Sequence, residues 1–97
     1  MVTAIGREAF AECSQLTSVT FGDHVKSIGS SAFRQCTTLI CVTMPIGLER
    51  IGSSAFDNCT SLASITIPNS VMNIELGAFS NTAYYNDAKN WDKGVLY

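Results

Sequence analysis

Four cysteines, one histidine and a C-terminal group of Asn and Asp side chains are the residues whose types could do chemistry. Cys13, Cys36 and Cys59 recur every 23 residues, and Cys41 stands apart. A zinc site is poorly supported, because there is no C-x-x-C pair and no His-rich partner segment. If the equal spacing reflects stacked units, successive cysteines sit ~5 Å apart at Cα, within disulfide range. Equivalent positions on stacked units point their Cβ atoms the same way, however, and three cysteines cannot all pair. The column is therefore expected to act as small buried hydrophobes. Cys41 takes the place of Ser18 and Ser64 and should be exposed.

His24 would be the base for any Ser or Cys nucleophile and would need a third group to orient it. It follows Gly22-Asp23, a turn, where a solvated histidine is the default. No nucleophile elbow, P-loop or H-E-x-x-H is present. Asp87, Asn90 and Asp92 could suggest calcium, but their spacing is not that of an EF-hand loop, and they are read as turn residues. Asn58-Cys59-Thr60 is formally a glycosylation sequon, yet it overlaps the cysteine column. These residues assign no catalytic residue, no metal and no cofactor.

What must position any site is a repeat. Ile5, Ile28, Ile51 and Ile74 align at the same 23-residue period, as do Phe10, Phe33, Phe56 and Phe79. Val2, Val25, Leu48 and Val71 form another column, and Ala9, Ala32, Ala55 and Ala78 a further one. Leu16, Leu39 and Leu62 recur too, as do Val19, Val42 and Ile65. Phe21, Met44 and Ile67 follow suit, and Gly6, Gly29 and Gly52 follow the Ile column. Self-similarity at a short fixed period is the signature of a stacked-repeat protein.

Leu16–Phe21, with equivalents Leu39–Met44 and Leu62–Ile67, alternates apolar and polar residues and reads as a half-buried strand. Gly22, Pro45 and Pro68 end these strands in turns. A second extended piece, Val25–Gly29, ends in a glycine expected to supply positive φ. Ser30–Cys36 reads as one helical turn, N-capped by Ser30 or Ser31, with Ala32, Phe33 and Cys36 on one face. Each unit thus makes one coil, and coils stack with parallel strands ~4.8 Å apart. Residues 1–79 hold about three and a half repeats, beginning in mid-unit, which predicts a piece of a longer array. Glu75, Thr82 and Tyr85 break the glycine, cysteine and leucine columns, and residues 80–97 leave the pattern. That tail carries Trp91, Tyr84, Tyr85 and Tyr97 and reads as an inter-repeat or capping segment, with a turn at Lys93-Gly94 and a strand starting at Val95.

Composition narrows the partners. The chain has 97 residues, 46% hydrophobic and 14% charged, with a net charge of −2. That is too apolar for a disordered chain, and it provides no basic footprint for nucleic acid or for an anionic membrane surface. No apolar run approaches the roughly 20 residues that span a bilayer.

The unit Ile-Gly-x-x-Ala-Phe-x-x-Cys-x-x-Leu-x-x-Ile-x-Ile-Pro, as in residues 51–68, resembles the BspA-like, treponemal-type class of leucine-rich repeat. The asparagine ladder of the commoner repeat form is absent, since His24, Gly47 and Ser70 stand in its place. The tail Ala83-Tyr84-Tyr85-Asn86 through Trp91 and Gly94-Val95-Leu96-Tyr97 is similar to a segment found between repeat blocks of that family. The resemblance implies a right-handed leucine-rich repeat solenoid, with one short parallel strand per repeat on the concave face and short helical turns opposite. It also implies an extracellular or cell-surface adhesin that binds host, matrix or other cell-surface proteins.

The outward strand positions Ser18, Thr20, Cys41, Thr43, Ser64 and Thr66 are the expected binding face, because partners usually dock on the concave side of a solenoid. The face lacks Trp, Tyr and Arg anchors, which favours the alternative of a spacer that presents other domains. An attached enzyme outside these residues is a third possibility. The open end at Val2 and Ile5 predicts end-to-end self-association, while the aromatic tail is expected to cover the other end.

Overall fold

A computed structural model describes residues 2–86, 91–92 and 95–96. Its regular elements are short: β1 Ala4–Ile5, β2 Ser18–Thr20, β3 Ser27–Ile28, β4 Cys41–Thr43, β5 Arg50–Ile51, β6 Asn73–Ile74, α1 Ala83–Asn86, β7 Trp91–Asp92 and β8 Val95–Leu96. They form two parallel ladders. One is a four-stranded sheet in the order β1-β3-β5-β6, and the other pairs β2 with β4. The register joins Ala4 to Ser27, Ser27 to Arg50, Arg50 to Asn73 and Ser18 to Cys41, so each residue meets its own equivalent one coil on.

The two complete coils between Leu16 and Ser61 therefore carry two strand segments each, β2 with β3 and β4 with β5, not one. The second extended piece has no clear apolar-polar alternation of its own. It pairs because Ile28 and Ile51 are fully buried and anchor it against the core. The core is the stack of columns: Val25, Leu48, Leu39, Leu62, Phe33, Phe56, Cys36 and Cys59 are buried with Ile28 and Ile51. The phenylalanines form a continuous pile, with ring centroids 5.3 Å apart for Phe10–Phe33 and for Phe33–Phe56, and 5.5 Å for Phe56–Phe79.

The helical turn expected at Ser30–Cys36 is not formed. Ser31 and Gln35 have φ of 58° and 61°, in the left-handed region that a right-handed helix excludes. Backbone N–H groups alternate in their partners. Ala32, Arg34 and Cys36 donate to Gly29, Ser31 and Phe33, closing successive turns, whereas Ser31, Phe33 and Gln35 donate to Ser53, Ala55 and Asp57 of the next coil. The same pattern recurs at Glu8 and Glu12, and at Ser54 and Asn58. Consecutive turns put Phe33 and Cys36 on one side much as a helix would, and they add three hydrogen bonds between neighbouring coils.

The glycine column also has a different reason from the one expected. Gly77 is the glycine with positive φ among the described residues, and it stands where Ser31 and Ser54 stand. At Gly29 an added Cβ would lie 2.7 Å from the Ile5 carbonyl oxygen, and at Gly52 it would lie 2.6 Å from Ser30 N. These glycines let adjacent coils approach. Where Glu75 takes the glycine's place, the bond from its N–H to the Ile51 carbonyl is 3.0 Å, against 2.8 Å at Gly29 and Gly52.

The cysteine column changes its bonding at Thr82. Cys36 and Cys59 each donate a thiol hydrogen bond to the carbonyl of the preceding coil's phenylalanine, Phe10 at 3.2 Å and Phe33 at 3.0 Å. Thr82, fully buried in the same column, instead accepts a bond from the Tyr85 N–H at 2.9 Å and donates to Phe79 O at 2.8 Å. It thereby caps α1. Tyr84 then lies edge-on to Phe79, with centroids 6.3 Å apart, and closes that end of the ring stack. β7 and β8 pair antiparallel, so Val95–Leu96 is a strand as expected. The turn expected at Lys93-Gly94 lies outside the described residues.

Candidate functional site

Valine and threonine favour extended backbone, and the alternation in β2 and β4 sends Val19 and Val42 inward. Ser18, Thr20, Cys41 and Thr43 point to solvent, and Ser64 and Thr66 on the third coil do the same. All six residues expected on the strand face are exposed; the register aligns Ser18 with Cys41 and Thr20 with Thr43, and a single bridge aligns Cys41 with Ser64.

Strand pairing does not run evenly across this face. It joins Val19 to Val42 and Thr20 to Thr43, but between the second and third coils only Cys41 and Ser64 bridge. Ile65 buries its side chain, yet Ile65–Ile67 forms no strand. On its outer side this third extended segment is held at its start, where Tyr84 N–H donates to the Leu62 carbonyl at 2.8 Å.

A groove of about 530 Å³ opens at that lapse, between Thr43 and Thr66. Met44, Pro68 and Ile46 line it with Asn69 and Ser70, and no charged side chain borders it. Ile46 is 82% exposed. It sits at the tip of the turn closed by the bond from Leu48 N–H to the Pro45 carbonyl, where Asp23 and Asn69 stand in the neighbouring coils. The turn is held in place: the Ser70 hydroxyl lies 2.8 Å from the Ile46 carbonyl and 2.6 Å from that of Leu48, sharing its proton between them. Ile40, 59% exposed, precedes β4 in a column otherwise held by Thr17 and Ala63. Sequence reasoning missed Ile40 and Ile46. The signal was present, since each is an apolar departure from a polar or small column.

The other candidates do not converge on a site. Cys36 and Cys59 are buried, Cys13 is half-buried at the first coil, and Cys41 is exposed; all four are free thiols. Burial raises the Cys36 thiol above its ordinary value and pushes Cys59 up to about 12, so neither is a ready nucleophile at neutral pH. His24 is exposed in its turn. Asn58 is half-buried at φ 62° beside the buried Cys59. Asp87, Asn90 and the side chain of Asp92 lie outside what the structure describes, and the calcium reading with them. Among the described residues no three His, Cys, Asp or Glu side chains gather to hold a metal, and no helix is long and apolar enough to cross a membrane.

The family model described as "BspA type Leucine rich repeat region (6 copies)" matches residues 1–91. The chain belongs to the BspA-type leucine-rich repeat family. Solved structures agree. A leucine-rich repeat protein from Bacteroides ovatus is 32% identical, with a TM-score of 0.80 over 84% of this chain and 21% of that one. One from Eubacterium ventriosum has the same identity and TM-score, covering 84% of this chain and 22% of that one. The T. pallidum leucine-rich repeat protein is similar at 32% identity and TM-score 0.72, over 81% and 48% of the two chains. The chain thus spans between about a fifth and a half of these solved relatives. No curated protein matches it. Leucine-rich repeat regions are generally non-catalytic scaffolds for protein interaction, and the strand face and its groove fit that use.

Proposed function

We propose that this chain is a non-catalytic protein-binding segment of a cell-surface, adhesin-like protein. Residues 1–79 form a right-handed repeat array whose concave strand face meets a host, matrix or other surface protein, and residues 80–97 form its capping tail. The observation that carries this reading is Ile46, almost fully exposed at the edge of a groove that Thr43 and Thr66 also line and that no charged side chain borders. The equivalent turn positions of the neighbouring coils carry Asp23 and Asn69, so Ile46 is an apolar departure at this site. Exposed apolar residues beside a flat polar surface are what a docking patch offers.

The test is binding of the chain to immobilised matrix proteins, beside a variant carrying Thr20→Glu, Thr43→Glu and Thr66→Glu. Wild-type binding that the variant loses supports the strand face. Equal binding by both places the site elsewhere. If neither binds while a longer array does, the segment is a spacer. Val2 at 62% and Phe10 at 43% exposure leave apolar surface at the first coil, so self-association has to be measured in parallel.

A further inference from the structure

We infer that the Phe10 face and the Phe79 face of the stack fit one another, so that a second copy of the chain docks head to tail, and that the cap formed by Thr82 and Tyr84 holds it off. One interface recurs between the coils. In each step three N–H groups, such as those of Ser31, Phe33 and Gln35, donate to three carbonyls of the following coil. Every such bond runs the same way along the stack. On the Phe79 face the equivalent donors, the N–H groups of Gly77, Phe79 and Asn81, have no acceptor among the described residues. On the Phe10 face the equivalent acceptors, the carbonyls of Arg7, Ala9 and Ala11, have no donor among them.

This polarity selects the occupant. Two Phe10 faces would set carbonyl against carbonyl, and two Phe79 faces N–H against N–H. Two unlike faces complete the bonds in the register that the coils already use. The side chains agree. Val2 and Phe10 are exposed apolar groups on one face, and Ile74 and Leu76 on the other. In that register Glu75 falls opposite Gly6 and therefore beside Arg7, a pair of opposite charge, while Glu8 and Glu12 fall opposite the uncharged Gly77 and Asn81.

Gly6 points to the same occupant. Gly29 is small because the backbone of residues 5–7 lies 2.7–2.8 Å from where its Cβ would stand. At Gly6 nothing lies within 4 Å of an added Cβ, and its φ is not positive. No contact among the described residues requires a glycine there. A docked Phe79 face supplies one, since residues 74–76 would lie against Gly6 as residues 5–7 lie against Gly29.

The cap stands in the way. Tyr84 lies edge-on to Phe79 and buries it, and the Tyr84 N–H holds the Leu62 carbonyl at 2.8 Å. Phe10 of a second copy needs that place to continue the ring stack. Once the cap is off, unlike faces meet in a heterologous contact that does not close on itself, and such a contact propagates as a linear assembly.

The experiment is sedimentation of the whole 97-residue chain over a range of concentrations. Beside it runs a variant carrying Thr82→Cys and Tyr84→Ser, which restores the residue types of Cys59 and Ser61 at those column positions. Wild type should keep the mass of one chain. The uncapped variant should gain mass with concentration, beyond that of two chains. Gly6→Val added to the uncapped variant should weaken the assembly about tenfold or more, because its side chain fills the space that the facing backbone needs. Aggregation through partial unfolding would not respond to Gly6→Val, which touches nothing within one chain. If the double variant loses its fold, judged by its urea midpoint, Tyr84→Ala alone keeps Thr82 and its bonds in place and is read in the same way. A folded uncapped variant that stays at the mass of one chain overturns the inference. So does assembly that Gly6→Val leaves unchanged, or wild type that assembles as far as the uncapped variant.

Discussion

Phe10 and Phe33 lie face to face, with centroids 5.3 Å apart and planes 8° apart, yet Phe10 is 43% exposed and Phe33 only 1%. The difference is position in the stack. Phe33 has Phe56 on its other face and the edge of Phe21 at 5.8 Å, whereas among the described residues Phe10 stacks on Phe33 alone. Phe33→Ala should cost about 3–5 kcal/mol, the range for deleting a core aromatic. Phe10→Ala should cost less than half as much. Urea titration of both variants checks the ordering, and a Phe33 loss below about 1 kcal/mol would contradict the stack.

Two glycines in one column should respond in opposite ways. A Cβ at Gly52 would meet Ser30 N at 2.6 Å and the Gly29 carbonyl carbon at 2.7 Å, and both are backbone atoms. Gly52→Ala must therefore push two coils apart, at about 1–3 kcal/mol. Around Gly6 nothing lies within 4 Å of an added Cβ. Gly6→Ala should be neutral, or stabilising by a few tenths of a kcal/mol through the unfolded chain. The midpoints of thermal unfolding for the two variants should fall on opposite sides of, or at very different distances from, the wild type.

Gln35→Gly distinguishes stacked turns from a helix. Within a helix, glycine would cost roughly 0.5–1 kcal/mol. At φ 61°, where an L side chain crowds its own backbone, glycine removes strain on the order of 1 kcal/mol. The expected result is an unchanged or higher denaturant midpoint. A clear drop would restore the helical reading.

The thiols should report burial and pH together. Cys41 should be labelled first in the folded protein, with Cys36 and Cys59 protected until the stack opens. Cys59 is raised from 9.0 to about 12 when folded, chiefly because burial disfavours its thiolate. Between those values the unfolded chain has lost a proton that the folded chain keeps, so stability should be intact below pH 9 and fall as pH rises towards 12. Burial raises the Tyr84 hydroxyl in the same sense. Urea midpoints at pH 8 and pH 10.5 measure the fall, and Cys59→Ala should make it shallower.

The columns were legible in the chain because every coil meets the same environment: its neighbours are copies of itself. Residue type at one position in 23 therefore reports burial directly, and Phe33, Leu39, Ile51 and Cys59 are all inside as their columns required. The outward Ser and Thr of the strands were legible by simple alternation. Folding alone decided what depends on contacts between coils. Ser31 and Gln35 are left-handed because alternate N–H groups bond to Ser53, Ala55 and Asp57, partners that no local spacing reveals. Gly29 is small because Ile5 and Arg7 lie against it. The groove at Ile46 exists because pairing lapses between Thr43 and Thr66, and Phe79 is covered because Thr82 starts a helix that brings Tyr84 over it. A periodic sequence states which side of each coil faces in. How closely the coils approach, and where that approach fails, is set by packing between residues distant in the chain.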